Sequence, residues 1–432
     1  MRTSIADPLR SRAHFAIMTK ALARGAAVSA SVEQATEVER PKQVARREMM
    51  AAIARRTLIA VVMSVGIAAP QAGAQSGAGA VIDVHVHADP VADYGITGSG
   101  PVPTICSDNV GITRLGWDPR TPFRFPISTC RGRRLPASRT DDELRRATLA
   151  TLARHDARAV VMGEPSVVDA WRAAAPGRVI AAVSFFRDST GADGRPLLRD
   201  IAELRRLVVA GRVAVFAEVG PQYAGMSPAD SALDPYFALA EELDVPVGIH
   251  MGEGPPGGPN VPGYEHYRVA LGNPLLLEPV LVRHPKLRLY VMHFGSPFVD
   301  DMIAMLFSYP QLYVDVSQND WGFPRAHFLA QLRRLVDAGF GQRILFGSDQ
   351  MIWPQAIDLS IETIESAGFL TSQQKRDILH DNAVRFLRLD DRRPAPANPG
   401  RRGAPHDSVD RRSAVIPQRA PRIAHRGYRE EH

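Results

Sequence analysis

The 432-residue chain holds only two cysteines, Cys106 and Cys130. Neither lies in a CxxC pair and neither has a histidine beside it, which excludes a thiolate metal site. Long apolar runs are missing too. The most apolar stretch, Leu58 to Ala69, is about a dozen residues long, short of the roughly 20 that a membrane-spanning helix needs. No Gly-rich phosphate fingerprint follows the first predicted strand, which argues against a doubly wound open sheet. Finally, the body of the chain lacks a basic surplus. The formal charge is +6, but residues 1–75 carry 11 Lys+Arg against 5 Asp+Glu, and residues 391–432 carry 10 Arg against 5 acids. That leaves 31 basic and 36 acidic residues in 76–390, so the electrostatic footprint of a nucleic-acid binder is absent.

The ends have their own logic. Residues 1–48 read as an extension, mis-called or disordered, ahead of a second start at Met49 or Met50. From there Arg55-Arg56, the apolar segment Leu58 to Ala69 and Ala72-Gly73-Ala74 form the three regions of a secretory signal over 49–74. The arginine pair loosely fits a twin-arginine signal, and the alternative is an uncleaved anchor. A periplasmic or secreted protein, with no stable membrane insertion after cleavage, is the expectation. An oxidising compartment would let Cys106 and Cys130 pair. Residues 390–432, rich in Pro, Arg and Gly, read as a disordered basic tail.

Between them, residues 79–389 alternate short apolar strands with helical stretches. The predicted strands are Ala80–His87, Ala157–Met162, Val179–Phe185, Val213–Val219, Pro246–His250, Leu287–His293, Leu312–Ser317 and Arg343–Ser348. Predicted helices include Asp141–Asp156, Pro196–Ala210, Ser231–Leu243, Pro274–His284, Phe298–Tyr309 and Ala326–Ala338, with a closing helix Thr371–Leu389. This pattern predicts an α/β fold, a (β/α)8 TIM barrel, with one long loop after strand 1, from Ala88 to about Thr140. That loop holds both cysteines and reads either as a cross-linked lid or as an insertion without function.

Polar residues recur at the strand ends, which converge on one face of such a barrel. Strand 1 ends in His85 and His87, two apart and therefore on one side of the strand. Strand 4 carries Glu218, strand 5 ends in His250, strand 6 in His293 and strand 8 in Asp349. Four imidazoles and two carboxylates cannot be buried together without a shared positive charge, so a divalent metal is the expected cofactor. Any one of them alone has a plainer reading as a hydrogen-bonded core residue or a cap. Arg268, Trp321 and Trp353 are candidates for lining a substrate pocket, with packing as the alternative for each.

The motifs IDVHVH, GIHMGEG, VMHFGSP, LFGSDQMIWP and ILHDNA resemble the amidohydrolase superfamily, specifically its amidohydrolase-2 branch of metal-dependent TIM-barrel hydrolases and decarboxylases. The resemblance implies that His85, His87 and Asp349 bind one metal with help from His250, and that His293 is a second-site ligand or polarises the substrate. It departs at strand 4, where many relatives use a carboxylated lysine and this chain has Glu218. A glutamate there can bridge two metals, or it can merely orient a histidine.

The function this implies is hydrolysis of a lactone, ester, amide or phosphoester by metal-activated water. Asp349 and His293 would act at the reacting centre, with one or two ions, Zn2+ or alternatively Mn2+. Two rivals stand beside it: a single-metal, non-oxidative decarboxylase of an aromatic or unsaturated acid, and a non-catalytic periplasmic metal- or ligand-binding barrel. The implied partner is a small-molecule substrate, with a homo-oligomer left open.

Overall fold

The computed structural model describes residues 80–94, 96, 102–107, 117–122, 132–191, 194–260 and 264–389. The segments expected to be an N-terminal extension, an export signal and a basic tail all lie outside the described residues.

Eight parallel strands in sequential order form one sheet: β1 (Ile82–His87), β2 (Arg158–Met162), β3 (Val179–Val183), β4 (Val215–Val219), β5 (Val247–His250), β6 (Leu289–Met292), β7 (Leu312–Asp315) and β8 (Ile344–Leu345). The sheet closes on itself. Val84 N donates to Phe346 O at 2.9 Å, His87 N to Gln350 O at 3.0 Å and Asp349 N to His85 O at 2.9 Å. The predicted eight-stranded barrel is therefore the observed one, with each strand shorter than its apolar run, by one residue in β2 and β5 and by four in β8.

Helices cover the outside: α1 (Asp141–Arg154), α2 (Pro165–Ala174), α3 (Ile201–Val209), α4 (Asp234–Glu242), α5 (Glu278–Arg283), α6 (Val299–Ser308), α7 (Asn319–Gly322), α8 (Arg325–Asp337), α9 (Gln355–Glu365), α10 (Ser372–Arg376) and α11 (Asn382–Leu387). Their starts follow local chemistry. The Thr140 side chain accepts from Glu143 N ahead of α1, and the first turn that follows is acidic, which complements the helix dipole. Thr371 and Gln374 form a capping box on α10. The closing segment is one rod only in outline, because a π-helical turn over Asp377–Asp381 separates α10 from α11. The helix expected over Pro196–Ala210 is shorter: Pro196–Leu198 pairs instead with Phe186–Thr190 in a hairpin, and α3 begins after the Asp200 cap. The segment after β1 contains a second hairpin, Thr104–Cys106 with Arg134–Pro136. Cys130 lies outside the described residues, and its pairing with Cys106 therefore does too.

The barrel interior is filled by alternate residues of the strands. Ile82, Val84, Val160, Met162, Ile180, Ala182, Val215, Ala217, Tyr290, Met292 and Leu345 form one cluster, completed by Ala383 and Phe386 of α11. The Tyr290 hydroxyl spans this interior and donates to Val84 O at 3.2 Å. A Cβ at Gly248 would lie 2.4 Å from that side chain, so only glycine leaves room for it.

Two β-bulges then decide which residues face the mouth. β1 pairs with β2 as Ile82–Arg158 and Asp83–Ala159, but next as Val86–Val161, so one extra residue is taken up on β1. A bulge reverses the side-chain alternation. Ile82 and Val84 thus point inward while Val86 joins the outer, helix-facing cluster, and His85 and His87 turn to the interior. The same happens in β4, where Phe216 pairs with Val247 and Val219 with Ile249. Val215 and Ala217 are interior, Phe216 and Val219 exterior, and the bulge swings Glu218 inward.

The seam between β1 and β8 is fastened by buried Asp83, whose Oδ1 accepts from His85 N at 3.0 Å and Ser348 N at 2.9 Å. Asp83→Ala strands two buried N–H groups at about 1–3 kcal/mol each and is expected to cost roughly 2–5 kcal/mol. Asp83→Asn keeps the accepting oxygen and should cost less than half as much. Urea unfolding of the two variants measures the difference, and equal stabilities would show that Asp83 does not hold the seam.

Candidate metal centre

The strand ends bring all six expected residues together. His85, His87, His250, His293 and Asp349 are buried, and Glu218 is partly so. The rings form a continuous chain, with centroids 5.2 Å apart for His85 and His87, 5.2 Å for His85 and His293, and 4.5 Å for His250 and His293.

One half of the centre is built from β1, β4 and the end of β8. His85 Nε2 and His87 Nε2 lie 3.2 Å apart. Glu218 Oε2 is 3.6 and 3.5 Å from them, and Asp349 Oδ1 is 3.5 and 3.1 Å away. Ligands held tetrahedrally at the roughly 2.0–2.1 Å of a zinc–nitrogen bond sit about 3.3 Å from one another, so both triangles have the right edges for one ion. The other half uses the opposite oxygen of the same glutamate. Glu218 Oε1 contacts His250 Nδ1 and lies 3.5 Å from His293 Nε2, with 3.0 Å between the two imidazole nitrogens. His250 is thus grouped with His293, not with the strand-1 pair as the resemblance implied. Among the described residues, His85–His87–Glu218 and Glu218–His250–His293 are both close enough to hold a cation.

The far sides of the rings fit a metal as well. His87 Nδ1 lies 3.1 Å from Asp89 Oδ2, His85 Nδ1 3.1 Å from Asp315 Oδ2, and His293 Nδ1 3.1 Å from the Ser317 carbonyl. Each acceptor takes an Nδ1–H and leaves the Nε2 lone pair facing the centre, the arrangement that outer partners of metal-bound histidines impose. His250 is turned the other way, with Nε2 3.0 Å from the Tyr223 hydroxyl. His293 and Asp349 both adopt left-handed φ, 57° and 50°. Such non-glycine residues cost about 1–3 kcal/mol and persist where the surroundings over-determine them. Here Asp315 Oδ1 accepts from His293 N at 2.8 Å, and His85 O accepts from Asp349 N.

Without an ion the centre makes up its positive charge with protons. Burial alone would lower His85 and His87, but carboxylates outweigh it. Asp349, Asp315 and Glu218 raise His85 well above its ordinary value, and Asp89 and Asp349 push His87 up to about 10. Burial would raise Glu218, yet His250, His293 and His85 hold it well below the usual carboxylate range. His250 is lowered by burial and by its neighbour His293, against the pull of Glu218.

The three candidate pocket residues are placed elsewhere. Arg268 is exposed and its Nη1 donates to the Glu265 and Tyr267 carbonyls of its own loop. Trp321 is buried, with its indole N–H donating to Ser348 O at 2.6 Å. Trp353 is buried edge-on against Tyr94, and its N–H reaches Pro103 O at 3.4 Å. Both tryptophans pack. Sequence reasoning missed Asp315, Ser317, Asp89 and Tyr223. Asp315 and Ser317 lie at alternate positions at the end of the apolar run LYVDVS, the same signal that marked His85 and His87, but neither is a histidine.

A parallel barrel with clustered histidines and carboxylates at the C-terminal ends of its strands defines a metal-dependent TIM-barrel enzyme. A family model described as amidohydrolase matches residues 82–389, and the chain belongs to that family. It is a metal-dependent, hydrolase-related enzyme with a divalent-metal cofactor. No curated protein matches in sequence. Solved structures with a similar course include a probable 2-pyrone-4,6-dicarboxylic acid hydrolase from Acinetobacter baumannii, 13% identical, covering 72% of this chain and 99% of that one at a TM-score of 0.43. An apo IDCase from Metarhizium anisopliae is 16% identical, covering 72% and 98% at 0.44. The 5-carboxyvanillate decarboxylase of Sphingomonas paucimobilis is 15% identical, covering 56% and 82% at 0.40. No helix among the described residues is long and apolar enough to cross a membrane.

Protons and metal compete for His85 and His87, so the raised values predict proton release on loading. Titrating Zn2+ into metal-free protein at pH 7 should release at least one proton per ion, with affinity rising as pH rises toward 9. Calorimetry in two buffers of different ionisation enthalpy reads this, and heats independent of buffer would refute it.

Proposed function

We propose that this protein is a hydrolase with two metal ions bridged by Glu218, acting on a lactone, ester, amide or phosphoester bond of a small molecule. The observation that carries the reading is Glu218 itself, whose Oε2 faces His85 and His87 while Oε1 faces His250 and His293. Nitrogen and carboxylate donors without thiolate favour Zn2+, with Mn2+ the alternative. Bound divalent metal would supply Lewis acidity, which lowers the pKa of water to near neutrality. In this reading Asp349, with Oδ1 3.1 Å from His87 Nε2, would accept the proton of the attacking water and return it to the leaving group. His293, in the other half-site beside Glu218 and His250, would polarise the electrophilic oxygen and stabilise its developing charge. The export signal of residues 49–74 adds a periplasmic or secreted location to the proposal.

Chelation should abolish turnover across a panel of lactones, esters, amides and phosphoesters, and Zn2+ or Mn2+ should restore it. Metal counting should give two ions per chain, and His85→Ala and Asp349→Ala should each lose metal. Unchanged metal content in both variants would sink the assignment.

Glu218→Ala separates the bridged centre from its rival. A bridge predicts that this variant keeps at most one ion and loses at least 100-fold in kcat. One ion in the native chain, with carbon dioxide released from an aromatic acid independently of Glu218, would support the decarboxylase reading instead.

A further inference from the structure

Strand β7 contributes no expected ligand, yet its end touches both half-sites. Asp315 is fully buried. Its Oδ2 lies 3.1 Å from His85 Nδ1, in the first half-site. Its Oδ1 accepts three donors: His293 N at 2.8 Å, Ser317 N at 3.0 Å and Ser317 Oγ at 2.6 Å. Ser317 extends the reach. Its Oγ is 2.9 Å from His85 Nδ1 and 3.1 Å from His293 Nδ1, and its carbonyl also lies 3.1 Å from His293 Nδ1.

The hydrogens of this network can be assigned from the acceptors. The hydroxyl donates to Asp315 Oδ1, so its lone pairs face the two imidazoles. Every atom opposite His85 Nδ1 and His293 Nδ1 is then an acceptor, and both Nδ1 atoms must carry hydrogen. Both Nε2 atoms are thereby left as lone-pair donors toward the centre.

We propose that Asp315, acting through Ser317, is the shared positioning residue that sets the metal-binding tautomer of a histidine in each half-site. The inference rests on the metal-centre reading above and assigns a positioning role to Asp315, a carboxylate that lies within ligand distance of His85 and His293. It makes a counter-intuitive claim about substitutions. In Asp315→Asn the amide oxygen must stay at the Oδ1 position, because three donors converge there. The amide NH2 then faces His85 Nδ1, which must accept. The hydrogen of His85 moves to Nε2, and the lone pair of the first half-site is lost. Asp315→Ala removes more structure but puts no donor opposite His85 Nδ1, and Ser317 Oγ can still accept from it, so the metal-binding tautomer stays accessible.

Co2+ titration followed by absorbance, with folding checked by circular dichroism, tests this. Asp315→Asn should weaken binding at the His85–His87 half-site 10–100-fold, and Asp315→Ala should weaken it less. A structural role alone predicts the reverse order. Wild-type affinity in Asp315→Asn, or weaker binding in Asp315→Ala than in Asp315→Asn, overturns the proposal. A second measurement needs no variant: nitrogen-15 spectra of the histidines in Zn2+-loaded native protein. Protonated Nδ1 on both His85 and His293 supports it, and an unprotonated Nδ1 on either overturns it. A native chain that takes up no Co2+ would overturn the metal-centre reading itself, a different result from a native chain that binds while the variants do not differ.

Discussion

The arrangement turns on the carboxylate of Glu218, wedged among four imidazoles at the barrel mouth. A carboxylate taken out of water is costly unless it is paired, and a pair is stable only when its remaining lone pairs and protons are also met. Glu218 meets this on both oxygens at once. Its neighbours do the same in turn, since Asp89, Asp315 and the Ser317 carbonyl take up the far nitrogens of three of the rings. The outcome is a centre with an excess of acceptors pointed inward. Protons satisfy them imperfectly, because His85 and His293 repel one another when both are charged. A divalent cation would satisfy such acceptors with a single charge centre.

Delivering Glu218 and the strand-1 histidines to that point took two departures from regular strand geometry. A strict alternation from Ile82 and Val84 would have aimed His85 and His87 at the helices, and one from Val215 and Ala217 would have aimed Glu218 the same way. The bulges between Asp83 and Val86 and between Phe216 and Val219 correct both. Each costs a ladder pairing in the barrel wall. The two irregularities fall on β1 and β4, two of the three strands that build the first half-site, which ties the local backbone directly to the chemistry.

This also explains what could and could not be read from the sequence. The barrel was legible because buried parallel strands are near-continuous apolar runs, and most runs here are separated by helical stretches. The six centre residues were legible because histidine, glutamate and aspartate at the ends of such runs are conspicuous. The bulges were not, since apolar residues on both faces of a buried strand hide a change of parity. Nor was the grouping of His250 with His293, which depends on the β4 bulge placing Glu218 between them. Asp315 carries the same strand-end signal, but it falls inside the run LYVDVS on a strand with no histidine at its end to draw attention to it. The hairpin at Pro196–Leu198 was read as helix because its apolar residues run straight into those of α3.

The placement of the ligands has a consequence for the barrel as well as for the chemistry. β8 is the shortest strand, Ile344–Leu345, and it closes the sheet against β1. Asp83 fastens the seam from inside the wall, and Asp349 N fastens it at the mouth by donating to His85 O. The first half-site straddles the same seam, with His85 and His87 on one side and Asp349 on the other. An ion bound there would join two strands paired through the isolated bridge Val86–Gln350, so binding energy would add to closure of the fold. Glu218 carries the link on to β4, and His250 and His293 extend it to β5 and β6. The left-handed backbone at His293 and Asp349 is strain that the apo fold must carry. It is tolerable where hydrogen bonds and, in the loaded protein, metal ligation hold the same atoms in place. Reactivity and barrel closure therefore draw on one set of side chains, and a change that loosens the centre loosens the rim of the barrel with it.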